Sequence, residues 1–498
     1  GWLESGENSL NSCSQLLELA DSTSRGVSNA VLIGMGGSNL GPRAIIDCLG
    51  TGHGVPVSFA DSTNVSQVRD LAQRVDLSNT LFIVSSKSGS TLETLTLLQY
   101  FYEKVNSSRG SSGLAGSKFV AITDLASPLE TLAYQYHFDS VIRSPTDVGG
   151  RYSVLTAFGI YPAAISGVPV RTLLAGAVEK ANRCRSRGLD NPAVTLSRFM
   201  IRNLRNGRDK MAILFSPELQ GLAEWVEQLL SESLGKDGRG ILPITGMSLE
   251  DLGHLEEEYG VIHLRHSSDV RTKTIYDKLI AEYGTSDELG DRVFDVAIDG
   301  PGMLGGEFLR WEFATAITGG LMGVNPFDQP QVESAKIITN QFITQSRTRV
   351  LERMHTTSFT VEEVFDCIVP GSYLGVLAYL PREEEIEKLL SGFVSMLAEL
   401  YCVPITVGFG PSYLHSTGQM HKGGPDTGCF IQLTCTDGGE PMLVPGEDFD
   451  FQSLSYAQAD GDLKALIELG RKVTRVELGL NVKKGMETLA SRIRDFKK

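Results

Sequence analysis

Short apolar runs without polar interruptions recur along the first part of the chain, and helical segments alternate with them. The runs span residues 30–33, 55–60, 80–84 and 119–123. The segments between them, at 41–49, 65–74 and 92–105, have the composition and spacing of helices. Such runs are typical of strands that are buried on both faces of a parallel sheet. Because alternating strands and helices build parallel sheets covered by helices, the pattern predicts an α/β fold.

The same alternation returns after residue 190 and indicates more than one domain. Strands are predicted at 210–215, 260–264 and 292–298, and helices at 190–206, 217–233 and 307–322. A length of 498 residues allows about three domains. We predict one doubly wound domain over 29–170, a second over 190–345, and an αβ segment over 370–498 that completes the second domain.

Charge and cysteine content restrict the partners and the compartment. The formal net charge of -15 does not favour nucleic acid or an anionic membrane as a partner. It also repels a phosphorylated ligand at long range, so a phosphate site has to act through local contacts. No apolar run reaches the roughly 18 residues of a spanning helix. The seven scattered cysteines form no C-x-x-C pair, which predicts reduced thiols in a cytoplasmic protein.

A glycine-rich segment, IGMGGSNLGP, follows the first strand at residues 33–42. Glycines at a strand-to-helix turn let the backbone approach a ligand, and the helix N-terminus offers N–H groups to an anion. Gly34 and Gly36 fit a dinucleotide fingerprint, and Asp61 ends the next strand, but Asn39 occupies the third glycine position. The segment alone leaves a nucleotide site, a sugar-phosphate site and a plain tight turn open.

The segment after the third strand, SSKSGSTLET at residues 85–94, is more specific. Hydroxyl side chains surround one glycine at the predicted start of a helix: Ser86, Ser88, Ser90, Thr91 and Thr94. One hydroxyl is enough for a helix N-cap, whereas several O–H and N–H donors at the positive end of a helix suit a phosphate. We therefore predict a phosphate site here. A Walker A loop is excluded because its pattern is absent.

Two further motifs carry residues suited to chemistry, although each has an ordinary structural explanation when taken alone. Arg151 follows Gly149 and Gly150, and its guanidinium suits developing negative charge, but a surface turn explains it as well. Gln228 and Glu232 lie on one face of a predicted helix. A carboxylate there can move a proton between adjacent carbons, or it can simply be solvated.

Two later loops are also candidates. Residues 323–330, GVNPFDQP, form a proline-pinned loop before a helix, which can be purely structural. Residues 414–425, LHSTGQMHKGGP, are dense in histidine, lysine and glycine. His415 and His421 have no third ligand nearby in the sequence and therefore make a poor metal site.

Taken together, these segments resemble the glucose-6-phosphate isomerases, which are built from two sugar-isomerase (SIS) domains with parallel sheets flanked by helices. The resemblance runs from about residue 29 to 345 and returns near 410–435. It implies substrate contacts at Gly37, Ser38, Ser86, Lys87, Ser88, Thr91, Thr94, Gly150, Gln228 and Gln329. It implies catalytic roles for Glu232, Arg151, Lys336 and His415.

The position of His415 departs from the usual family pattern. In most members the LHSxGQ segment follows the catalytic glutamate closely, whereas here it lies downstream of NPFDQP. This order resembles the isomerase half of the bifunctional transaldolase–glucose-6-phosphate isomerases. His421 is the alternative residue for opening the sugar ring.

The resemblance implies an aldose–ketose isomerase that interconverts glucose 6-phosphate and fructose 6-phosphate through a cis-enediol(ate). The phosphate is expected on Ser86, Ser88 and Thr91, while His415 and Lys336 open the ring. Glu232 is expected to carry the proton from C2 to C1, with Arg151 stabilising the developing charge.

No cofactor and no metal is expected for this reaction, and the resemblance implies a homodimer. Three alternatives remain: an isomerase that also accepts mannose 6-phosphate, a regulator that binds a sugar phosphate without chemistry, and a nicotinamide-dependent enzyme.

Overall fold

The described part of the chain folds as an α/β protein with three parallel sheets. The structure, a computed structural model, describes residues 1–109, 114–247, 259–270, 292–331, 359–436 and 438–498. Within these residues every pairing between strands is parallel. The predicted fold class is therefore confirmed.

The chain divides into two compact units. The first contains Gly1–Asp61, Val75–Leu234 and Ile241–Asp328, and the second contains Ser62–Arg74, Gly235–Gly240 and Gln329–Lys498. The domain boundaries inferred from the sequence stay a prediction, because packing into a compact unit does not by itself define an independently folding domain.

The first sheet of the first unit is doubly wound. Its strands are β1 (Asn29–Gly34), β2 (Val57–Ala60), β3 (Thr80–Ser85), β4 (Phe119–Asp124) and β5 (Ser140–Ser144), in the order β2-β1-β3-β4-β5. The order reverses between β1 and β3, where ligands of such sheets bind at the carboxyl ends of the strands. All six residues of β3 are buried, as expected of a central parallel strand.

Helices alternate with these strands along the chain and lead to the second sheet. They are α1 (Ser5–Thr23), α2 (Gly37–Leu49), α3 (Val65–Arg74, part of the second unit), α4 (Leu92–Arg109), α5 (Pro128–Gln135), α6 (Ala157–Ile165), α7 (Val170–Cys184) and α8 (Pro192–Arg205). The start of α8 shows how the sequence fixes a boundary. The Asn191 side chain accepts hydrogen bonds from the N–H groups of Ala193 and Val194, and Pro192 occupies the first turn.

The second sheet of the first unit has the order β7-β6-β8-β9. Its strands are β6 (Lys210–Phe215), β7 (Leu242–Ile244), β8 (Tyr259–Arg265) and β9 (Val293–Ala297), with helices α9 (Ala223–Leu234) and α10 (Gly300–Met322). The helix predicted over 217–233 begins later than expected, because Pro217–Leu222 form a 3-10 turn before α9. Gly221 in this turn passes close to α2, since a Cβ there would lie 2.6 Å from that of Asp47.

The second unit has a sheet of its own with the order β11-β10-β12-β13. Its strands are β10 (Tyr373–Tyr379), β11 (Ile405–Phe409), β12 (Gly428–Thr434) and β13 (Lys472–Glu477). Its further helices are α11 (Val361–Asp366), α12 (Glu384–Tyr401), α13 (Gly418–Gly423), α14 (Phe451–Glu468) and α15 (Val482–Lys497). The sequence predicted an αβ segment here, and the structure adds that it forms a complete parallel sheet.

Burial of aliphatic strand residues stabilises each sheet. In β1, Val31, Leu32 and Ile33 are fully buried, and each such side chain contributes about 1.5–3 kcal/mol relative to an exposed one. None of the helices within the described residues is both long enough and apolar enough to cross a membrane.

Candidate active site

The serine-rich loop connects the carboxyl end of β3 to the N-terminus of α4. Gly89 adopts a left-handed conformation with φ +64, and a Cβ there would lie 2.8 Å from the backbone nitrogen of Leu129. A side chain at this position would therefore strain the loop. Because α4 begins at Leu92, the N–H groups of its first turn point toward the loop and can meet an anion.

The hydroxyl groups of this loop divide into a bracing set and an accessible set. Ser86 is buried, and its Oγ lies 3.1 Å from Oγ1 of Thr91 and accepts from the N–H of Gly89 at 3.2 Å. Ser88 and Ser90 are exposed, and Ser90 Oγ donates to Ser88 Oγ at 3.1 Å. The exposed hydroxyls and Thr91 are thus available to a ligand, while Ser86 holds the turn.

Thr94 lies in the first turn of α4 and is fully buried. Its hydroxyl has no hydrogen-bond partner within the described part of the chain. Its assignment as a substrate contact stays a prediction.

Lys87 is held by the protein. Its ammonium group forms an ion pair with Asp124 and donates to the carbonyl oxygen of Thr146 at 2.9 Å. Much of the lysine charge is neutralised by this carboxylate, so an anion at the loop is met mainly by neutral N–H and O–H donors.

The glycine-rich segment forms the turn between β1 and α2. Gly36 has φ +53, and Gly37 packs directly against the loop that carries Gly150 and Arg151. A Cβ on Gly37 would lie 2.0 Å from the carbonyl oxygen of Gly150 and 2.9 Å from the nitrogen of Arg151. Only glycine permits this approach. Ser38, the next residue, is buried at the start of α2.

The acidic residue required by the dinucleotide interpretation is already engaged. Arg43 donates to Asp61 at 2.6 Å and to the side chain of Asn39 at 3.2 Å. Asp61 is therefore engaged in an ion pair with Arg43, so its position after β2 no longer supports a nucleotide site.

Arg151 connects three segments of the first unit. Its Nε donates to Ser233 Oγ at 2.9 Å, and its Nη1 lies 3.2 Å from Glu232 Oε2. Its Nη2 donates to the carbonyl oxygens of Pro326 and Asp328 at 2.7 and 2.9 Å. The residue is 4% exposed, so a turn on the surface, the ordinary explanation of its sequence position, is wrong.

Glu232 lies in the last turn of α9 and is 8% exposed, so the alternative of a solvated helix face is also wrong. Burial of a carboxylate is costly unless a cation and hydrogen bonds accompany it. Arg151 supplies the cation. Gln228, one turn earlier on the same helix, is also buried. The structure thus brings together Glu232, Arg151 and Gly150. Gly37 packs against the backbone of Gly150 and Arg151.

Two residues that were not predicted complete this cluster. Ser233 accepts from Arg151, and the hydroxyl of Tyr152 lies 3.3 Å from Ser233 Oγ. Burial raises the pKa of Tyr152 to about 12, so this phenol is neutral at pH 7. Each of the two is adjacent in sequence to a predicted residue, and this adjacency was the available signal.

A third unpredicted residue, Glu312, lies on α10 and is fully buried. Neither carboxyl oxygen has a hydrogen-bond partner within the described residues. Desolvation raises its pKa well above the ordinary value. Its charged form also contributes to raising the pKa of Tyr152. An acid flanked by Trp311 and Phe313 was the sequence signal for this site.

The other predicted residues that the structure describes belong to the second unit. His415 ends the 3-10 turn Ser412–His415 and is half-buried, and Gln329 is half-buried as well. His421 is buried, with Nδ1 3.0 Å from the hydroxyl of Tyr373. Desolvation, with the charges of Lys422 and Arg471, lowers the pKa of His421 to about 3. Lys336 lies outside the described residues.

Comparison with known proteins identifies relatives of this chain. Residues 15–240 match the family described as phosphoglucose isomerase. A glucose-6-phosphate isomerase from Parabacteroides distasonis is 32% identical over 351 residues, which cover 61% of this chain and 78% of that protein. One from Rubrobacter xylanophilus is 28% identical over 365 residues, covering 65% of this chain and 84% of that protein.

Solved structures show the same fold. A glucose-6-phosphate isomerase from Chlamydia trachomatis aligns with a TM-score of 0.58 at 21% identity, covering 68% of this chain and 74% of that one. A hypothetical protein from Thermus thermophilus aligns with a TM-score of 0.59 at 24% identity, covering 68% of this chain and 89% of that one.

Proposed function

The chain belongs to the phosphoglucose isomerase family, and we propose that it interconverts glucose 6-phosphate and fructose 6-phosphate with Glu232 as the base. Relatives that bear the name glucose-6-phosphate isomerase support this activity. The observation that carries the assignment of the base is the buried contact of 3.2 Å between Glu232 and Arg151.

The proposed reaction moves two protons and needs no net oxidation. Glu232 takes the proton from C2 of the open-chain aldose and returns it to C1, while a proton passes from O2 to O1. The intermediate is a cis-enediol(ate), whose oxygens carry developing negative charge. Arg151 is suited to stabilise that charge, because its guanidinium is fixed by Ser233 and two backbone carbonyls before the substrate arrives.

The serine-rich loop is proposed to hold the phosphate. Exposed Ser88, together with Thr91 and the N–H groups at the start of α4, provides neutral donors at the positive end of a helix. Ser86 supports the turn through its contacts with Gly89 and Thr91. A phosphate bound here is held by local contacts, as the net charge of -15 requires.

His415 is proposed to open the sugar ring, with Lys336 as a second group according to the family pattern. The choice of His415 over His421 rests on two observations: His415 is only half-buried, and the pKa of His421 is lowered. His421 is buried against Tyr373, and its pKa of about 3 keeps it neutral at pH 7. A ring-opening acid needs a pKa nearer the working pH.

We also propose a cytoplasmic homodimer. All seven cysteines are free thiols, which supports a reducing compartment. The dimer rests on the family resemblance and is tested by sedimentation of the purified chain, which should give twice the mass of 54.0 kDa.

The activity is tested by coupling conversion of fructose 6-phosphate to glucose-6-phosphate dehydrogenase. The assay compares the wild type, Glu232→Gln, and the control Glu218→Gln, whose side chain is exposed before α9. We expect a loss of about 10²–10⁴-fold in kcat for Glu232→Gln and none for the control. Turnover of mannose 6-phosphate at a similar rate would assign a broader specificity. Binding without turnover in the wild type would indicate a regulator and overturn the proposal.

A further inference from the structure

The sheet of the second unit reverses its strand order in the same way as the first sheet. In both, the strand that comes first in sequence lies between the second and the third, so the switch point falls between the first and the third. In the first sheet Gly34 pairs with Ser85 at the carboxyl end, and the glycine and serine loops begin there. In the second unit Tyr379 pairs with Thr434 at the corresponding end.

A cleft of about 250 Å³ opens at this end of the second unit's sheet. Tyr379 and Thr434 line it from the strand ends, and Asn64 lines it from the residues before α3. One face of α14 forms another wall through Gln452, Ser455 and Tyr456, which follow i, i+3, i+4 spacing. The rest of the helix is mostly buried, so polar side chains at this spacing indicate that this face of α14 borders a solvent-filled cleft.

Two hydroxyl groups of the cleft have a fixed hydrogen-bond direction. Thr434 Oγ1 donates to Glu477 Oε2 at 2.8 Å, and Thr436 Oγ1 donates to Glu477 Oε1 at 3.1 Å. Each hydroxyl uses its single proton in this way, so only its lone pairs are left for a ligand. A ligand must therefore bring O–H or N–H donors to this wall.

The charge of the cleft excludes phosphate. Glu383 is the single charged side chain among the described residues that line it, and no basic residue is among them. The carboxylate of Glu477 lies directly behind the threonines. An anionic ligand would meet two carboxylates without a compensating cation. Tyr456 and Leu480 add apolar surface against which a ring can pack.

We propose that this cleft is a second ligand site, which binds an uncharged monosaccharide. Sugar hydroxyls supply the donors that Thr434 and Thr436 require, and an apolar ring face packs against Tyr456. The volume is just below the roughly 300–1,000 Å³ of drug-sized sites, which fits one sugar ring. The site is built from the second unit alone and does not depend on the isomerase assignment.

The test is saturation-transfer NMR with D-glucose on the full chain carrying Glu232→Gln, with excess fructose 6-phosphate present so that the proposed active site is occupied. Ser455→Trp fills the cleft from α14. Ser453→Trp places the same side chain on α14 outside the cleft and serves as the control. Circular dichroism establishes that both variants fold.

We expect saturable contact with D-glucose that is weakened at least about tenfold by Ser455→Trp and unchanged by Ser453→Trp. Absence of contact, or an equal signal in both variants, would overturn the proposal.

Adenosine is tested in parallel. Contact with adenosine alone, lost in Ser455→Trp, would overturn the sugar assignment. Failure of fructose 6-phosphate to bind would count against the proposed function and leave the comparison of the two tryptophan variants intact.

Discussion

The guanidinium of Arg151 joins the carboxylate of Glu232, 3.2 Å away, to the carbonyl oxygens of Pro326 and Asp328. All of these groups belong to the first unit. One buried cation therefore orients the proposed base and fixes the neighbouring NPFD segment at the same time. This dual role means that a change at Arg151 should affect both the chemical step and the stability of the fold.

Replacing Arg151 by lysine is expected to lower kcat by about 10²–10³-fold, the usual cost of losing one preorganised donor to an oxyanion. Lysine keeps the charge but cannot reach the serine, the carboxylate and the two carbonyls together. The melting temperature should fall as well, because buried carbonyls lose their donor. Steady-state kinetics and calorimetry measure the two effects. Arg143→Lys, at an exposed arginine that pairs with Glu130 away from Glu232, is the control, and equal kinetics in the two variants would contradict this role.

Removing the hydroxyl of Ser88 tests the phosphate loop. A hydrogen bond to a charged group contributes about 1.5–3 kcal/mol, so Ser88→Ala should raise KM for fructose 6-phosphate about tenfold or more. kcat should change little, because the phosphate is remote from C1 and C2. Ser22→Ala, where the hydroxyl donates only within α1, should leave KM unchanged. A fall in kcat at constant KM would place Ser88 outside the phosphate site.

Gly37→Ala tests the close approach between the glycine turn and the arginine loop. The new methyl group would lie 2.0 Å from the carbonyl oxygen of Gly150, so the loop carrying Arg151 must shift. We expect a stability loss of about 1–3 kcal/mol, together with a loss of activity that exceeds what the unfolded fraction explains. In contrast, Gly320→Ala on α10, where a Cβ meets nothing within 4 Å, should be neutral or slightly stabilising. Full activity in Gly37→Ala would refute the contact.

The buried histidine of the second unit predicts a pH dependence of stability. The folded-state pKa of His421 is about 3, below its ordinary value of about 6.5. The stability that it contributes is therefore complete above pH 6.5 and is lost as the pH falls toward 3, because the unfolded chain takes up a proton that the folded chain excludes.

The slope from this one site is about 1.4 kcal/mol per pH unit within that window. His421→Asn keeps an acceptor for the hydroxyl of Tyr373 and removes the titration. The free energy of unfolding of the wild type and of His421→Asn is measured with urea between pH 7 and pH 5, a window taken from these pKa values. The difference between the two free energies should narrow as the pH falls. A constant difference would show that His421 is solvated.

The sequence was informative where local chemistry sufficed. The apolar runs predicted the parallel strands, and the crowding of hydroxyls around Gly89 predicted, without reference to tertiary structure, the loop that we propose to bind the phosphate. The neutralisation of Lys87 by Asp124 could not be predicted, because Lys87 lies in the loop after β3 whereas Asp124 ends the neighbouring strand β4. The same holds for Ser233, which meets Arg151 only after the second sheet has positioned α9. Burial also separates His415 from His421, which look alike in the sequence.

Transfer of the C2 proton to solvent-exchangeable Glu232 is the central claim, and hydrogen exchange in D₂O measures it most directly. Fructose 6-phosphate is incubated with the wild type and with Glu232→Gln, and deuterium at C1 and C2 is followed by NMR. The wild type should introduce deuterium at C2 of glucose 6-phosphate and at C1 of fructose 6-phosphate. Glu232→Gln should slow this by about 10²–10⁴-fold. Deuterium incorporation in Glu232→Gln at the wild-type rate would contradict the account.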